Sequence, residues 1–167
     1  MKRFFMLSLF TFSILGAKSQ VQLAKIIGKG SDQFTLGYGG FFKFSYQLTQ
    51  SSDVSLELGV LSFSVKDNTR YGWDVVPLKV GYRYILTRKS SGPYVEPQLG
   101  YNIFGIDPSD KTFTGFIWGG GIGYLFKPIG KIKFDLGLRY ESVSHSGGAL
   151  NYLMLRLSHN FSFGRRF

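Results

Sequence analysis

The sequence predicts an all-β protein, and within that class an eight-stranded antiparallel up-and-down barrel. Three observations carry this expectation. Segment after segment alternates apolar and polar residues with a period of two, the spacing that sends successive side chains of a strand to opposite faces. Nine of the 22 Gly share one of the two alternating rows, and most aromatic residues of the strands, which with the rest make up 17 % of the chain, fall on the other. After the leading segment no stretch repeats its apolar residues at helical spacing.

The first expected strand, residues 21–28, alternates weakly and runs into Gly28-Lys29-Gly30-Ser31-Asp32. Residues 34–49 form the clearest strand, with Phe34, Leu36, Tyr38, Phe42, Phe44, Tyr46 and Leu48 on one row and Gly37, Gly39, Phe41 and Lys43 on the other. A turn at Gln50-Ser51-Ser52 leads into residues 53–65, where Val54, Leu56, Leu58 and Val60 face away from Ser55, Glu57 and Gly59. The phase slips near Leu61, which predicts a bulge. Residues 73–86 set Val76, Leu78, Val80, Tyr82 and Tyr84 against Lys79, Gly81 and Arg83. Residues 94–104 set Val95, Leu99, Tyr101 and Ile103 against Glu96, Gln98, Gly100 and Asn102. In residues 112–126, Phe116, Trp118, Ile122, Tyr124 and Phe126 oppose Gly119, Gly121 and Gly123. Residues 131–143 place Ile132, Phe134, Leu136, Leu138 and Tyr140 opposite Lys133, Asp135, Gly137, Arg139 and Glu141. The closing strand, 150–167, carries Leu153, Leu155, Leu157, His159, Phe161, Phe163 and Phe167 in one phase and Tyr152, Met154, Arg156 and Ser158 in the other.

The amino terminus reads as a secretory signal. Lys2 and Arg3 precede an apolar run over residues 4–15, and Ala17-Lys18-Ser19 offers a cleavage site before Gln20. That run is shorter than the roughly 20 residues a spanning helix needs. The expected division is therefore a signal over residues 1–19 and a barrel over 20–167. The formal charge of +10 falls to +7 once Lys2, Arg3 and Lys18 are removed. These charges are scattered singly rather than gathered between stacking aromatics, so nucleic acid is not an expected partner. The absence of Cys excludes disulfides, thiol catalysis and lipid attachment through an amino-terminal cysteine.

Which row meets solvent is decided by glycine. An eight-stranded barrel has an interior only wide enough for side chains. Long charged residues pointing inward therefore need small neighbours, and Gly37, Gly39, Gly59, Gly81, Gly100, Gly119, Gly121, Gly123 and Gly137 all share the charged row. The bulky row then faces lipid, which is the inverse of a soluble barrel. The expected lumen network is Lys43, Glu57, Lys79, Arg83, Glu96, Lys133, Asp135, Arg139, Glu141 and Arg156. Buried charges persist only when paired, and the turns bring Lys43 toward Glu57 and Arg83 toward Glu96. This set is expected to plug the lumen rather than to line an ion path. Aromatics fall at two heights, with Tyr46, Tyr82, Tyr84, Tyr124 and Phe126 near one rim and Tyr38, Tyr101, Trp118 and Tyr140 near the other, as rings do at membrane interfaces.

The leading segment, the Val76-Pro77-Leu78-Lys79-Val80-Gly81-Tyr82-Arg83-Tyr84 strand, the Gly137-Leu138-Arg139-Tyr140 run and the terminal Phe167 together resemble the small bacterial outer-membrane β-barrel proteins. That superfamily includes the OmpA-like transmembrane domains. The resemblance implies the outer membrane of a Gram-negative bacterium and contact with its lipids and lipopolysaccharide. It also implies insertion by the barrel assembly machinery, with Phe167 as the assembly signal, and a structural or adhesive role through external loops, exercised as a monomer. With both chain ends in the periplasm, the connections near residues 30, 69, 108 and 147 are external, and these are expected to be longer or more polar than those near 51, 90 and 128.

Two other functions compete. Ser144-His145-Ser146 near the outer rim loosely resembles the site of outer-membrane lipid A deacylases, but no acid follows His145, and neighbouring strand residues point to opposite faces. A secreted soluble barrel that binds a ligand is the other. No phosphate-loop, dinucleotide or metal-ligand spacing occurs, so no catalytic residue, cofactor or metal is expected.

Overall fold

The computed structural model describes residues 16–28, 31–66, 72–87, 91–106, 111–127, 132–145 and 148–161. Its strands are β1 (Gly16–Ile27), β2 (Gly37–Thr49), β3 (Ser52–Ser64), β4 (Gly72–Ile85), β5 (Gly92–Ile106), β6 (Thr112–Leu125), β7 (Ile132–His145) and β8 (Gly148–Phe161). A short 3-10 turn, Ser31–Gln33, follows β1. Each strand pairs antiparallel with the next, and β1 pairs with β8, so the sheet closes into a barrel with no free edge. Closure satisfies every ladder without an exposed edge, the condition for crossing hydrocarbon with strands.

One rim holds the starts of β1, β3, β5 and β7 and the end of β8; we call it the terminal rim, and the opposite one the distal rim. Three features of the wall differ from the sequence expectation. β1 is longer, starting at Gly16, and its Lys18 and Ser19 already pair with Lys43 and Phe42. β7 and β8 extend until His145 pairs with Gly148, which has a left-handed φ of 138°. The connection near 147 is therefore not longer than those near 90 and 128, and length does not separate the two rims.

The third difference concerns bulges. β3 keeps its phase through Leu61 and Phe63, both buried in the lumen, and its register with β4 is the same on either side of Leu61. The apparent slip arises because the apolar residues change rows there: Leu61 and Phe63 take the inward row, and Ser62 and Ser64 take the outward one. The irregularities lie elsewhere, at Gln47/Thr49, at Val76/Pro77 and at Asn102/Gly105. Pro77 has no amide hydrogen to donate to a ladder, and at the third site both Ile103 and Phe104 face outward. Asn102 repairs this part of the wall: its Oδ1 accepts from Val76 N at 3.0 Å and its Nδ2 donates to Phe113 O at 3.3 Å.

Candidate functional site

The two faces separate as glycine indicated. The outer surface is apolar, with Leu99 59 % exposed, Ile122 62 % and Trp118 50 %. Outward rings also meet in pairs, Trp118 with half-buried Tyr140 at 5.8 Å and Tyr124 with Phe126 at 5.0 Å between centroids. Inside, a Cβ added to Gly137 would lie 2.7 Å from Tyr94 Oη, whereas one added to outward Gly120 would meet nothing within 4 Å. A soluble binding barrel needs the reverse arrangement, so that alternative is set aside: an apolar belt of this extent is stable only against lipid or detergent.

The lumen is stratified. Ile85, Leu125 and Tyr94 pack together near the terminal rim. The distal half is filled by Ala24, Phe41, Leu61, Phe63, Val75, Ile117, Val143, Tyr152 and Met154 among others, with Phe34 and Trp73 packed against them. Between these layers lie the charges. Lys43, Glu57, Lys79, Arg83, Glu96, Asp135, Arg139, Glu141 and Arg156 are all buried. Of the expected network, the Lys133 side chain lies outside the described residues, as does Phe167. So does the His145 side chain, while His159 packs with its ring tilted against Phe134, 5.7 Å between centroids, on the outer face.

Glu96 is the hub. Its carboxylate takes Lys43 Nζ, Arg83 at 2.7 Å, Arg139 at 3.2 Å and Arg156 at 3.3 Å. Glu57 takes Lys79 at 3.0 Å and Arg139 at 2.9 Å, and Glu141 takes Lys79 at 2.7 Å and Arg139 at 3.2 Å. Asp135 takes Arg83 at 2.8 Å and Arg156 at 3.4 Å. The Arg83–Glu96 pair is the one expected from adjacent strands. Lys43 differs: its Cα stands directly opposite Glu57, yet its ammonium turns to Glu96. Glu57 is already held by Lys79 and Arg139, and in so narrow a barrel a long side chain reaches across as readily as along the wall.

Sequence reasoning left four lumen residues out of the network. Tyr94 donates to Asp135 Oδ1 at 2.5 Å, accepts from Arg156 at 2.6 Å, and its ring lies 4.2 Å from the Arg83 guanidinium. Tyr152 donates to Glu141 at 3.0 Å. Gln98 donates to Glu96 at 2.7 Å and Gln22 to Glu57 at 3.3 Å. The signal was parity: Tyr94 is in phase with Glu96, and Tyr152 with Arg156. Among the described residues no group of three or more His, Cys, Asp or Glu could hold a metal ion.

No protein-family model matches the chain, and no curated protein is similar to it in sequence. Solved structures do match. Neisserial surface protein A is 13 % identical, with 89 % of this chain and 96 % of that chain covered and a TM-score of 0.70. Ail, the attachment invasion locus protein of Yersinia pestis, is 12 % identical over 88 % and 97 %, with a TM-score of 0.58. The amino-terminal β-barrel domain of Pseudomonas aeruginosa OprF is 16 % identical over 87 % and 97 %, with a TM-score of 0.57. At these identities what is shared is architecture, and the chain has the fold of the small eight-stranded outer-membrane barrels.

Proposed function

We propose that the chain is an integral outer-membrane protein with a sealed lumen, acting at the bacterial surface through its external connections rather than by catalysis or conduction. The observation that supports this reading is the pairing of an apolar outer belt with inward side chains that, among the described residues, are buried from the Ile85, Tyr94 and Leu125 layer to the apolar distal cluster. A belt of that kind places the strands in hydrocarbon, and a lumen so filled has no room for a water column. What is left to meet a partner is the set of connections at the distal rim, taken as external. Ail, which carries the name of an attachment protein, has the same barrel and supports an adhesive or structural role. In this reading residues 1–19 are removed on export, which shortens β1 so that it begins at Gln20, the assembly machinery inserts the barrel, and lipopolysaccharide surrounds a monomer.

The test has two parts. Cell fractionation followed by surface proteolysis locates the chain, and the purified protein should need detergent and migrate differently before and after boiling. Replacing residues 28–36 and 65–71 with Gly/Ser linkers should keep that gel shift while abolishing binding of whole cells to host-matrix or epithelial surfaces. A mature chain that is monodisperse in water without detergent contradicts the proposal, and so does unchanged cell binding.

A further inference from the structure

Removal of residues 1–19 leaves a place in the wall that the other described residues do not fill. Gly16–Ser19 pair with Phe42–Ser45 of β2 on one side, and Lys18 and Ser19 pair with Asn160 and His159 of β8 on the other. Once β1 begins at Gln20, a slot one strand wide opens at the terminal rim between those two edges. Unpaired ladder groups are costly where a wall meets hydrocarbon, and an open edge recruits a strand that fits it.

The residues that occupy the place define what fits. They run antiparallel to both neighbours. Lys18 stands opposite Lys43, which faces the lumen, and Ser19 opposite Phe42, which faces outward. Asp53, on the inward row of β3, lies within electrostatic reach of Lys18, and its Oδ1 is buried without a hydrogen-bond partner. An occupant must therefore run antiparallel to β8, turn a cation inward and place the next side chain against lipid.

β8 ends at Phe161 beside the slot, and Ser162-Phe163-Gly164-Arg165-Arg166-Phe167 follow it in the sequence. We propose that these residues turn back along β8 and fill the slot in the mature chain. A three-residue hairpin loop ends on a left-handed position that glycine favours; with Ser162, Phe163 and Gly164 as the loop, that position is Gly164. Arg165, Arg166 and Phe167 then stand opposite Phe161, Asn160 and His159, in the places of Ala17, Lys18 and Ser19. Arg166 returns a cation to Asp53, and Phe167 lies on the lipid face beside Phe42. A two-residue loop would instead drive Phe167 into the place opposite Ser158 that Gln20 holds. The short tether gives this segment an advantage over any separate chain. The inference rests on the cleavage before Gln20 in the proposed function.

The experiment uses the mature chain, residues 20–167, refolded in lipid vesicles and checked by its gel shift on boiling. The sequence has no Cys, so a pair of introduced thiols reports one contact. Phe42→Cys with Phe167→Cys should form a disulfide on oxidation, because residues directly opposite on antiparallel strands lie about 4.5–5.5 Å apart at Cα, within disulfide reach. Gly40→Cys with Phe167→Cys should not, because a neighbour two residues along the ladder is about 7–8 Å away. Because these variants could fail to fold, amide exchange of the unmodified chain is a second readout. The amides of residues 42–45 that face the slot should exchange slowly in 20–167 and lose that protection in 20–161. Bridging in neither pair or in both, or fast exchange at these amides in 20–167, overturns the proposal, as does exchange unchanged by the truncation. The mass of the protein isolated from membranes reports the reading beneath it. A chain that keeps Gly16–Ser19 removes the cleavage and the inference together, whereas a chain that starts at Gln20 and forms no bridge refutes the inference alone.

Discussion

Replacing Glu96 by Gln removes one charge and almost no volume from the centre of the plug. Four cations face that carboxylate, Lys43, Arg83, Arg139 and Arg156, and every one is at most 3 % exposed. After the substitution the described lumen loses one negative charge, and Arg139 and Arg83 keep only Glu57, Glu141 and Asp135. Removing one member of a buried ion pair costs about 3–5 kcal/mol, chiefly because the partner is left charged and unpaired. With a urea dependence of about 1–3 kcal/mol per molar, the unfolding midpoint should fall on the order of 2 M. Tryptophan fluorescence in vesicles, read beside the boiled and unboiled gel mobility, measures it. Lys43→Met in the same chain should recover part of the loss, since it removes a cation that Glu96 held. Were the lumen wet, the pairs would behave as exposed ones do, worth about 0–1 kcal/mol. A loss under about 1 kcal/mol for Glu96→Gln would therefore refute the dry plug.

Three further outcomes follow from the wall. Gly137→Leu should destabilise the barrel by driving a side chain into Tyr94, and Tyr94→Ala in the same chain should restore part of the stability, while Gly120→Ala, on the open outer face, should change the urea midpoint little. Leu99→Arg puts a cation on the lipid face near the middle of β5 and should cost about 2–4 kcal/mol in vesicles; no loss would mean that this face does not meet hydrocarbon. Asn102→Leu removes the bonds to Val76 N and Phe113 O at the wall irregularity, and should cost about 1–3 kcal/mol in the same titration.

Much of this architecture was legible in the sequence because strands write their two faces as two rows. Val54, Leu56 and Leu58 against Ser55, Glu57 and Gly59 settle both the strand and its phase, and the glycines settle which face is crowded. What stayed hidden is contact across the barrel. Ladder register places Lys43 beside Glu57, but nothing local says that its ammonium will find Glu96, 53 residues away. The apolar distal half of the lumen was hidden for a different reason. Where Leu61 and Phe63 point inward and Ser62 and Ser64 outward, the contrast between rows inverts, and an inversion imitates a slip of phase. Tyr94 and Tyr152 were passed over because aromatic residues in a lipid-facing barrel draw the eye outward, although their parity sets them inside. The strength of the 102–105 irregularity is likewise a matter of tertiary contact, since Asn102 acts on β4 and β6 at once.

The central claim is that side chains close this barrel from rim to rim, and electrical recording tests it most directly. Purified protein inserted into a planar lipid bilayer, with insertion verified by the gel shift of the same sample, should leave the membrane without stable conductance steps. Steady openings in the nanosiemens range would show a continuous water path through the lumen and contradict the account.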